Sequence, residues 1–151
     1  MASSLVKIDI HLVFHVKTDG TTIRTADLPR VFSYMAGVIE GMEGRPLQIG
    51  GMPNHVHILT VLPKTMSLVD FVRTLKTNTS KWIKQLDDCY ARFAWQDGYG
   101  AFSVSPSLIS KTVDYIRNQE EHHKKRSFRD EYKLFLEHYG IDYDEKYILG
   151  E

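Results

Sequence analysis

Residues 52–62, MPNHVHILTVL, place two histidines at the start of an apolar run. The aliphatic and β-branched residues after His55 predict a strand, in which side chains two positions apart point to the same side. His55 and His57 would then lie about 7 Å apart at their Cα atoms, with Val56 and Ile58 facing the core. Two imidazoles arranged in this way can converge on one cation, although such a pair also occurs in domains that bind no metal.

The segment around Tyr115 and Gln119 has the apolar spacing of a helix. Residues four apart share a helix face, so these two side chains are neighbours. The apolar stripe comprises Ile109, Val113 and Ile116. At about 100° per residue, Tyr115, Gln119 and His122 cluster roughly 130° from the centre of that stripe. Tyr115 therefore lies off the core face of its own helix, either because it is reactive or because a second element covers it.

The composition predicts one globular domain, residues 1–151, with 42% hydrophobic residues to build a core. Cys89 is the single cysteine, which excludes a disulfide framework and fits a reducing compartment. No apolar run approaches the roughly 20 residues of a membrane span, and the N-terminus lacks a signal-peptide pattern. We therefore expect a soluble, cytoplasmic protein with no membrane partner.

The formal net charge is zero, but the positive charge is unevenly distributed. Residues 71–86 carry Arg73, Lys76, Lys81 and Lys84 and no acid. Arg73, Lys76, Ser80 and Lys84 recur at spacings of three and four, which predicts a polar stripe on a helix, suited to phosphate contacts. A solvated helix face is the alternative interpretation of the same stripe.

Four further polar or aromatic positions allow more than one interpretation. Trp95 and Gln96 precede a glycine loop, where they would stack on or pair with an unpaired base, or where Trp95 would pack in the core. His122 and His123 would assist the site or be exposed. His11 and His15, on one face of a strand, are expected to be structural.

The order of elements predicts an α+β fold. The predicted strands are residues 7–16, 45–51, 55–62, 93–96 and 101–104, and the predicted helices are 27–41, one beginning at Ser67, 107–125 and 128–139. Turns are expected at 18–20 and, as a hairpin or tight loop, at 97–100. The β-α-β-β-α-β order matches a ferredoxin-like (RRM-like) antiparallel sheet with two helices on one face, additional C-terminal helices, and the other face open.

Together these residues would suit phosphodiester chemistry. A phenolate attacking a phosphodiester polarised by a divalent cation would form a phosphotyrosine and release a hydroxyl. Because the ordinary tyrosine pKa is about 10, attack needs a base or the field of the cation. His55, His57 and the Gln119 amide oxygen give three ligands with open positions, a set that favours Mn²⁺ over Mg²⁺ in affinity, while abundance favours Mg²⁺. Phosphotyrosine retains the energy of the broken ester, so rejoining needs no nucleotide cofactor.

Residues 52–59, 93–104 and 115–119 together resemble the single-tyrosine HUH (histidine-hydrophobe-histidine) transposases of small bacterial and archaeal insertion sequences. The resemblance covers nearly the whole chain. It implies a homodimer that recognises hairpins in single-stranded DNA and transfers strands, at the nucleoid, through 5′-phosphotyrosine intermediates.

Carried over by position, the resemblance makes His55, His57 and Gln119 the metal ligands and Tyr115 the nucleophile. In the family the tyrosine helix of one subunit can complete the histidine pair of the other. Gly98 and Gly100 would lie in the loop that allows this helix to move.

Other functions remain open at this stage. A two-histidine phosphoesterase would need a second His-x-Thr/Ser element, which the sequence lacks. A relaxase-like HUH nickase usually belongs to a longer chain, whereas a domesticated transposase that processes palindromes would use the same site. A non-enzymatic RRM-like binder would need exposed aromatics on its central strands, but 7–16 and 55–62 offer mainly histidines and aliphatics.

Overall fold

A computed structural model describes residues 4–18 and 20–144. Its strands are β1 (Asp9–His15), β2 (Arg45–Met52), β3 (His55–Val61) and β4 (Gly100–Ser103). Its helices are α1 (Leu28–Gly41), α2 (Leu68–Leu86), α3 (Ile109–Arg117), α4 (Gln119–His123) and α5 (Phe128–His138), with short 3₁₀ turns at Thr25–Asp27, Asp88–Tyr90 and Pro106–Leu108. The sheet has the order β2-β3-β1-β4 with antiparallel neighbours throughout. This is the predicted ferredoxin-like α+β arrangement.

Strand β1 separates two packing layers because its side chains alternate between the faces of the sheet. Ile10, Leu12 and Phe14 are buried in the main hydrophobic core with residues of α1 and α2. Val13 points the other way, into a second cluster with Phe102 of β4 and the apolar side of α5. None of the described helices is long and apolar enough to cross a membrane.

The prediction of an open second sheet face was wrong. Helix α3 packs Ile116 against Leu59 of β3, and α5 packs Phe128 and Tyr132 against the β1–β4 edge. The physical reason is that the C-terminal helices have apolar stripes of their own. These stripes are removed from water by packing on the second face of the sheet. The imidazoles on β3 therefore lie under these helices.

The N-terminal end of α2 follows from the local sequence, and an aromatic contact joins this helix to α1. The Ser67 hydroxyl accepts a hydrogen bond from the Asp70 amide at 3.1 Å, the N-cap expected from the Ser-x-x-Asp pattern. Tyr34 of α1 and Trp82 of α2 stack with ring centroids 4.5 Å apart. This contact joins the two helices on the side away from the histidines.

Residues 93–96 do not form a hairpin with 101–104. Trp95 makes an isolated bridge with Val16, and the Gln96 amide donates to the His15 carbonyl at 2.9 Å. Strand β4 pairs with β1 from Val13↔Gly100 to Ile10↔Ser103. Strand β4 and residues 95–96 thus bond to successive parts of the same strand edge, residues 10–13 and 15–16, where unpaired backbone groups are available.

The predicted helix 107–125 is broken at Asn118, which has φ −100° and ψ 27° and separates α3 from α4. Asparagine leaves helical geometry readily, and the change of direction turns Gln119 inward, where it is 2% exposed. Helix α5 is close to its predicted bounds and is followed by Gly140 at φ +66°.

Two expectations fall partly outside the described residues. In the turn predicted at 18–20, the Gly20 amide donates to the Lys17 carbonyl at 2.7 Å, but Asp19 is not described. The last ten residues are expected to be irregular and to dock on the body or on a partner through Tyr143, Tyr147, Ile148 and Leu149. Tyr143 packs against the cluster around α5, whereas the other three residues are not described.

The close approach of α3 to β2 depends on Gly50. A Cβ at this position would lie 2.6 Å from the Ile116 carbonyl oxygen of α3. We expect Gly50→Ala to lower the free energy of unfolding by about 1–3 kcal/mol, because two backbones would have to separate. Gly37→Ala, on the exposed side of α1 with nothing within 4 Å of the added Cβ, should raise it by about 0.5–1 kcal/mol. Urea titration of both variants measures the free energy of unfolding; a Gly50→Ala variant as stable as the native protein would contradict the packing argument.

Candidate active site

The register of β1 and β3 brings three histidines together on the covered face of the sheet. Val13 pairs with His57 and His11 with Leu59, so His57 and His11 are diagonal neighbours. His55 and His57 are 1% and 0% exposed, and their ring centroids are 5.1 Å apart. The sequence analysis predicted this shared face but not its complete burial.

Hydrogen bonds orient each imidazole. His55 Nδ1 lies 2.8 Å from the side-chain oxygen of Asn54, which can only accept, so His55 carries its proton on Nδ1. His57 Nδ1 lies 2.8 Å from His11 Nε2. His11 was expected to be structural, and its structural role is specific: it holds the far side of His57 so that Nε2 points into the cluster.

Two oxygen-bearing side chains face the imidazoles. Gln119 Oε1 lies 3.0 Å from His55 Nε2, and Glu131 Oε1 lies 2.9 Å from His57 Nε2 and 3.6 Å from His55 Nε2. Gln119 also donates to the other oxygen of Glu131 at 3.2 Å. Gln119 and Glu131 are each 2% exposed.

The donor set fits a divalent cation. Burial lowers the pKa of His55 to about 3, and the neighbouring His57 lowers it further. His55 is therefore neutral at pH 7, and its Nε2 carries a lone pair. That lone pair faces Gln119 Oε1, another acceptor, with no hydrogen to share. One ligand atom from each of His55, His57 and Glu131 lies within 4.8 Å of the others. Converging nitrogen and oxygen acceptors of this kind are the ligands that a borderline divalent metal takes.

Sequence reasoning missed Glu131. The residue occupies a position on the apolar stripe of α5, with Phe128, Tyr132 and Leu136 as the other buried members. A carboxylate on an apolar stripe is almost never buried without a partner, and this signal was available in the sequence. Burial raises the pKa of Glu131, but hydrogen bonds from His57 and Tyr115 and the charge of His57 outweigh it, so the pKa lies below its usual range.

Tyr115 is half-buried, and its hydroxyl donates to Glu131 Oε2. Its ring lies 5.8 Å from that of His57, edge to face. Burial raises the pKa of Tyr115, and the hydrogen bond to Glu131 and the charge of that carboxylate raise it further. The phenol is therefore protonated at neutral pH in this arrangement, and Glu131 is the group that accepts its hydrogen bond.

A protein-family model described as "Transposase IS200 like" matches residues 4–119. The chain belongs to this family. None of the curated proteins compared with it matches.

Two solved structures have the same fold as this family member. A proposed transposase from Deinococcus radiodurans R1 is 18% identical with a TM-score of 0.61, covering 79% of this chain and 95% of that one. A REP-associated tyrosine transposase bound to a REP hairpin is 13% identical with a TM-score of 0.59, covering 82% of this chain and 73% of that one. At these identities the likeness establishes the fold alone.

All the predicted active-site residues of this transposase-family chain meet within one copy of the chain. Tyr115 and Gln119 contact the Glu131–histidine cluster directly. Gly98, with φ +89°, and Gly100 do not adjoin α3, because β4 and the Pro106–Leu108 turn intervene. The expectation that these glycines form the loop before the tyrosine helix was therefore wrong.

His122 and His123 both lie at the site. The ring of His122 stacks on Tyr115 at 4.5 Å, and His123 Nε2 lies 3.1 Å from Gln119 Oε1 and 3.3 Å from Glu131 Oε1. Their position on the short helix α4, after the break at Asn118, explains why the uninterrupted helix predicted from sequence gave them no definite role.

The predicted DNA-contacting residues border one groove of about 430 Å³ between α2 and residues 94–97. Arg73, Lys76, Ser80, Lys81, Lys84, Trp95 and Gln96 all line it. Lys76 donates to the carbonyls of Gln96 at 2.8 Å and Gly98 at 2.6 Å, which anchors the loop. Trp95 is only 9% exposed and packs on Phe14, so little more than its edge faces the groove.

The buried neutral histidines predict an acid-sensitive fold in the metal-free protein. Burial lowers the pKa values of His11 and His55 to about 3, from about 6.5 in the unfolded chain. Below pH 6.5 only the unfolded chain takes up these two protons, so stability is full above that pH and is lost as the pH falls toward 3. The expected slope is about 2–3 kcal/mol per pH unit, measured by urea titration in EDTA between pH 6.5 and 5. His11→Leu should roughly halve it, and a flat profile would contradict the assignment.

Proposed function

We propose that this chain cleaves and rejoins single-stranded DNA with Tyr115 as the nucleophile, through a 5′-phosphotyrosine intermediate. One observation carries the proposal: the Tyr115 hydroxyl and His57 Nε2 bond to opposite oxygens of the same carboxylate, that of Glu131. A phenol and an imidazole pair thus face each other across one anionic group, where a phosphate would lie in the proposed reaction. Family membership supports the same activity.

In the proposed reaction, the Tyr115 Oη–phosphorus bond forms as the bond from phosphorus to the departing 3′-oxygen breaks. The phenol proton leaves along its hydrogen bond to Glu131 Oε2, and the 3′-oxygen takes a proton from solvent. Attack by another strand's 3′-hydroxyl reverses these changes and frees the tyrosine. Because Glu131 lies between the nucleophile and the imidazoles, entry of a phosphate requires its carboxylate to shift while it stays within reach of the Tyr115 hydroxyl.

His55, His57 and Gln119 would hold a divalent metal ion, Mg²⁺ or Mn²⁺, with Glu131 as a further ligand or neighbour. When bound, the ion would polarise the phosphate and favour the phenolate form of Tyr115. Asn54 and His11 fix the two rings from behind, as outer partners of metal-bound histidines commonly do.

The preferred substrate would be single-stranded DNA carrying a hairpin, bound along the groove that contains Arg73, Ser80 and Lys81. The groove is lined by Lys84 as well, and the carboxylate that pairs with Arg73, Asp70, is exposed. The REP-associated transposase of similar fold was solved with a hairpin bound, which supports this class of ligand. We further propose that the chain acts as a homodimer, as its family does.

Two alternatives differ in how well they fit. A domesticated or relaxase-like nickase would use the same tyrosine and histidines, and would differ in its DNA rather than its chemistry. An RRM-like binder would need an open sheet face, which α3 and α5 cover. The geometry therefore favours an enzyme over a passive binding module.

The decisive experiment is covalent capture. Incubation with end-labelled single-stranded hairpin DNA and Mn²⁺ should give a protein–DNA adduct that survives a denaturing gel. Tyr115→Phe should bind the DNA with similar affinity and give no adduct, because only the attacking oxygen is lost. Tyr90→Phe, which alters a buried tyrosine outside the site, should retain the adduct. An adduct of undiminished yield in Tyr115→Phe would overturn the assignment.

Metal binding can be measured without activity. Calorimetric titration of the metal-free protein with Mn²⁺ should show one ion per chain. His57→Ala, Gln119→Ala and Glu131→Ala should each weaken binding by roughly tenfold to a hundredfold. His15→Ala is the control, because His15 shares the strand face but lies 2.7 Å from the Val16 carbonyl through its own Nδ1. Equal affinity in all four variants would exclude this site as the metal site.

A further inference from the structure

Helices α3 and α5 border an open cavity of about 360 Å³ whose lining includes Tyr115 and Glu131. Most of its wall is apolar or aromatic, formed by Val104, Leu108, Leu134, Phe135 and Tyr139. Its volume lies within the range of small-molecule sites, and a few polar groups among apolar walls are typical of such sites. The groove on α2 is a separate feature that shares no lining residue with it.

A second cavity, of about 330 Å³, opens on the other side of Tyr115. It shares Tyr115, Arg126 and Glu131 with the first cavity. Its remaining wall is polar, formed by Glu121, His122, His123 and Lys125. The tyrosine hydroxyl thus lies where an apolar cavity and a charged cavity meet.

The aromatic side of the apolar cavity is already fixed in position. Phe135 and Tyr139 each stack on Phe102, with centroid distances of 5.4 and 4.7 Å and interplanar angles of 18° and 23°. The Tyr139 hydroxyl donates to the Ser103 carbonyl at 3.2 Å, yet the residue remains 38% exposed. A planar ligand can therefore stack without ordering these side chains, which lowers the entropic cost of binding.

Cations border the same cavity. Lys111 and Arg126 line it, and neither forms an ion pair with any carboxylate of residues 4–18 or 20–144. The charge of Arg126 also acts on Tyr115, where it favours the phenolate. An occupant with an apolar planar part and an anionic part next to Tyr115 fits both features.

We propose that this cavity binds the unpaired base of a nucleotide flanking the scissile phosphate, while Arg126 binds a phosphate of the same strand at the junction of the two cavities. The inference rests on the proposed function and adds the path of the strand: base in the apolar cavity, phosphate at Tyr115, backbone along Lys125. An apolar peptide or an uncharged lipid would leave the guanidinium and ammonium groups of the cavity without a partner. A base attached to its phosphate satisfies both.

The test combines a filled cavity with a missing base. Leu134→Trp fills the cavity from a position on α5 that is 44% exposed, so the fold should tolerate it. Leu5→Trp adds the same side chain at a position 97% exposed and is the matched control. Each protein is given hairpin oligonucleotides that are intact or abasic at one or the other nucleotide beside the cleavage position. Binding is measured by fluorescence anisotropy and cleavage by adduct formation.

In the native protein and in Leu5→Trp, one of the two abasic positions should weaken binding by about tenfold, the loss expected for one stacked base. Leu134→Trp should bind intact DNA about as weakly as native protein binds abasic DNA, with no further loss when the base is removed.

Equal loss on base removal in Leu134→Trp and in the native protein, or no loss in either, would overturn this inference. An adduct formed alongside either result would leave the proposed function standing. Absence of any adduct would instead refute the proposed chemistry, while the anisotropy data would still decide whether the cavity takes a base.

Discussion

The carboxylate of Glu131 joins groups that arrive from three separate parts of the chain. It accepts hydrogen bonds from Tyr115 on α3 and Gln119 on α4, and it lies against His57 on β3. An anion buried to 2% exposure is tolerated only when such partners surround it. Because Glu131 belongs to α5, satisfying it also fixes how α5 lies on the sheet. The docking of α5 and the orientation of the phenol both depend on this one group.

Strand pairing provides the rigid frame beneath that carboxylate. Central strands β1 and β3 carry His11 and His57 on one face, and their hydrogen-bonded ladder sets the 2.8 Å contact between the two rings. Because the strand register holds these rings, their orientation does not depend on the position of a neighbouring helix. Such rigid support suits groups that must meet a ligand in a defined geometry. The helices that bear Tyr115 and Glu131 are by contrast attached to the sheet mainly through apolar contacts.

Local sequence predicted the parts of this site that depend on period and capping. Alternation placed His55 and His57 on one face, the Ser67 pattern predicted the start of α2, and helical spacing put Tyr115 and Gln119 on the same side. The contribution of Glu131 depends on how α5 docks on the sheet, which no local pattern encodes. An acid on an apolar stripe does, however, indicate a buried carboxylate with a partner. The same holds for residues 93–96, whose partner strand was chosen by the free edge of β1 rather than by the adjacent glycines.

The interruption at Asn118 divides the segment that carries Tyr115 and Gln119 into two short helices instead of one. Tyr115 lies in the last turn of α3 and Gln119 begins α4, so different helices carry the two side chains. In a continuous helix, one backbone would fix the positions of both side chains relative to each other. With Asn118 between them, α3 sets the position of the phenol and α4 sets the position of the amide.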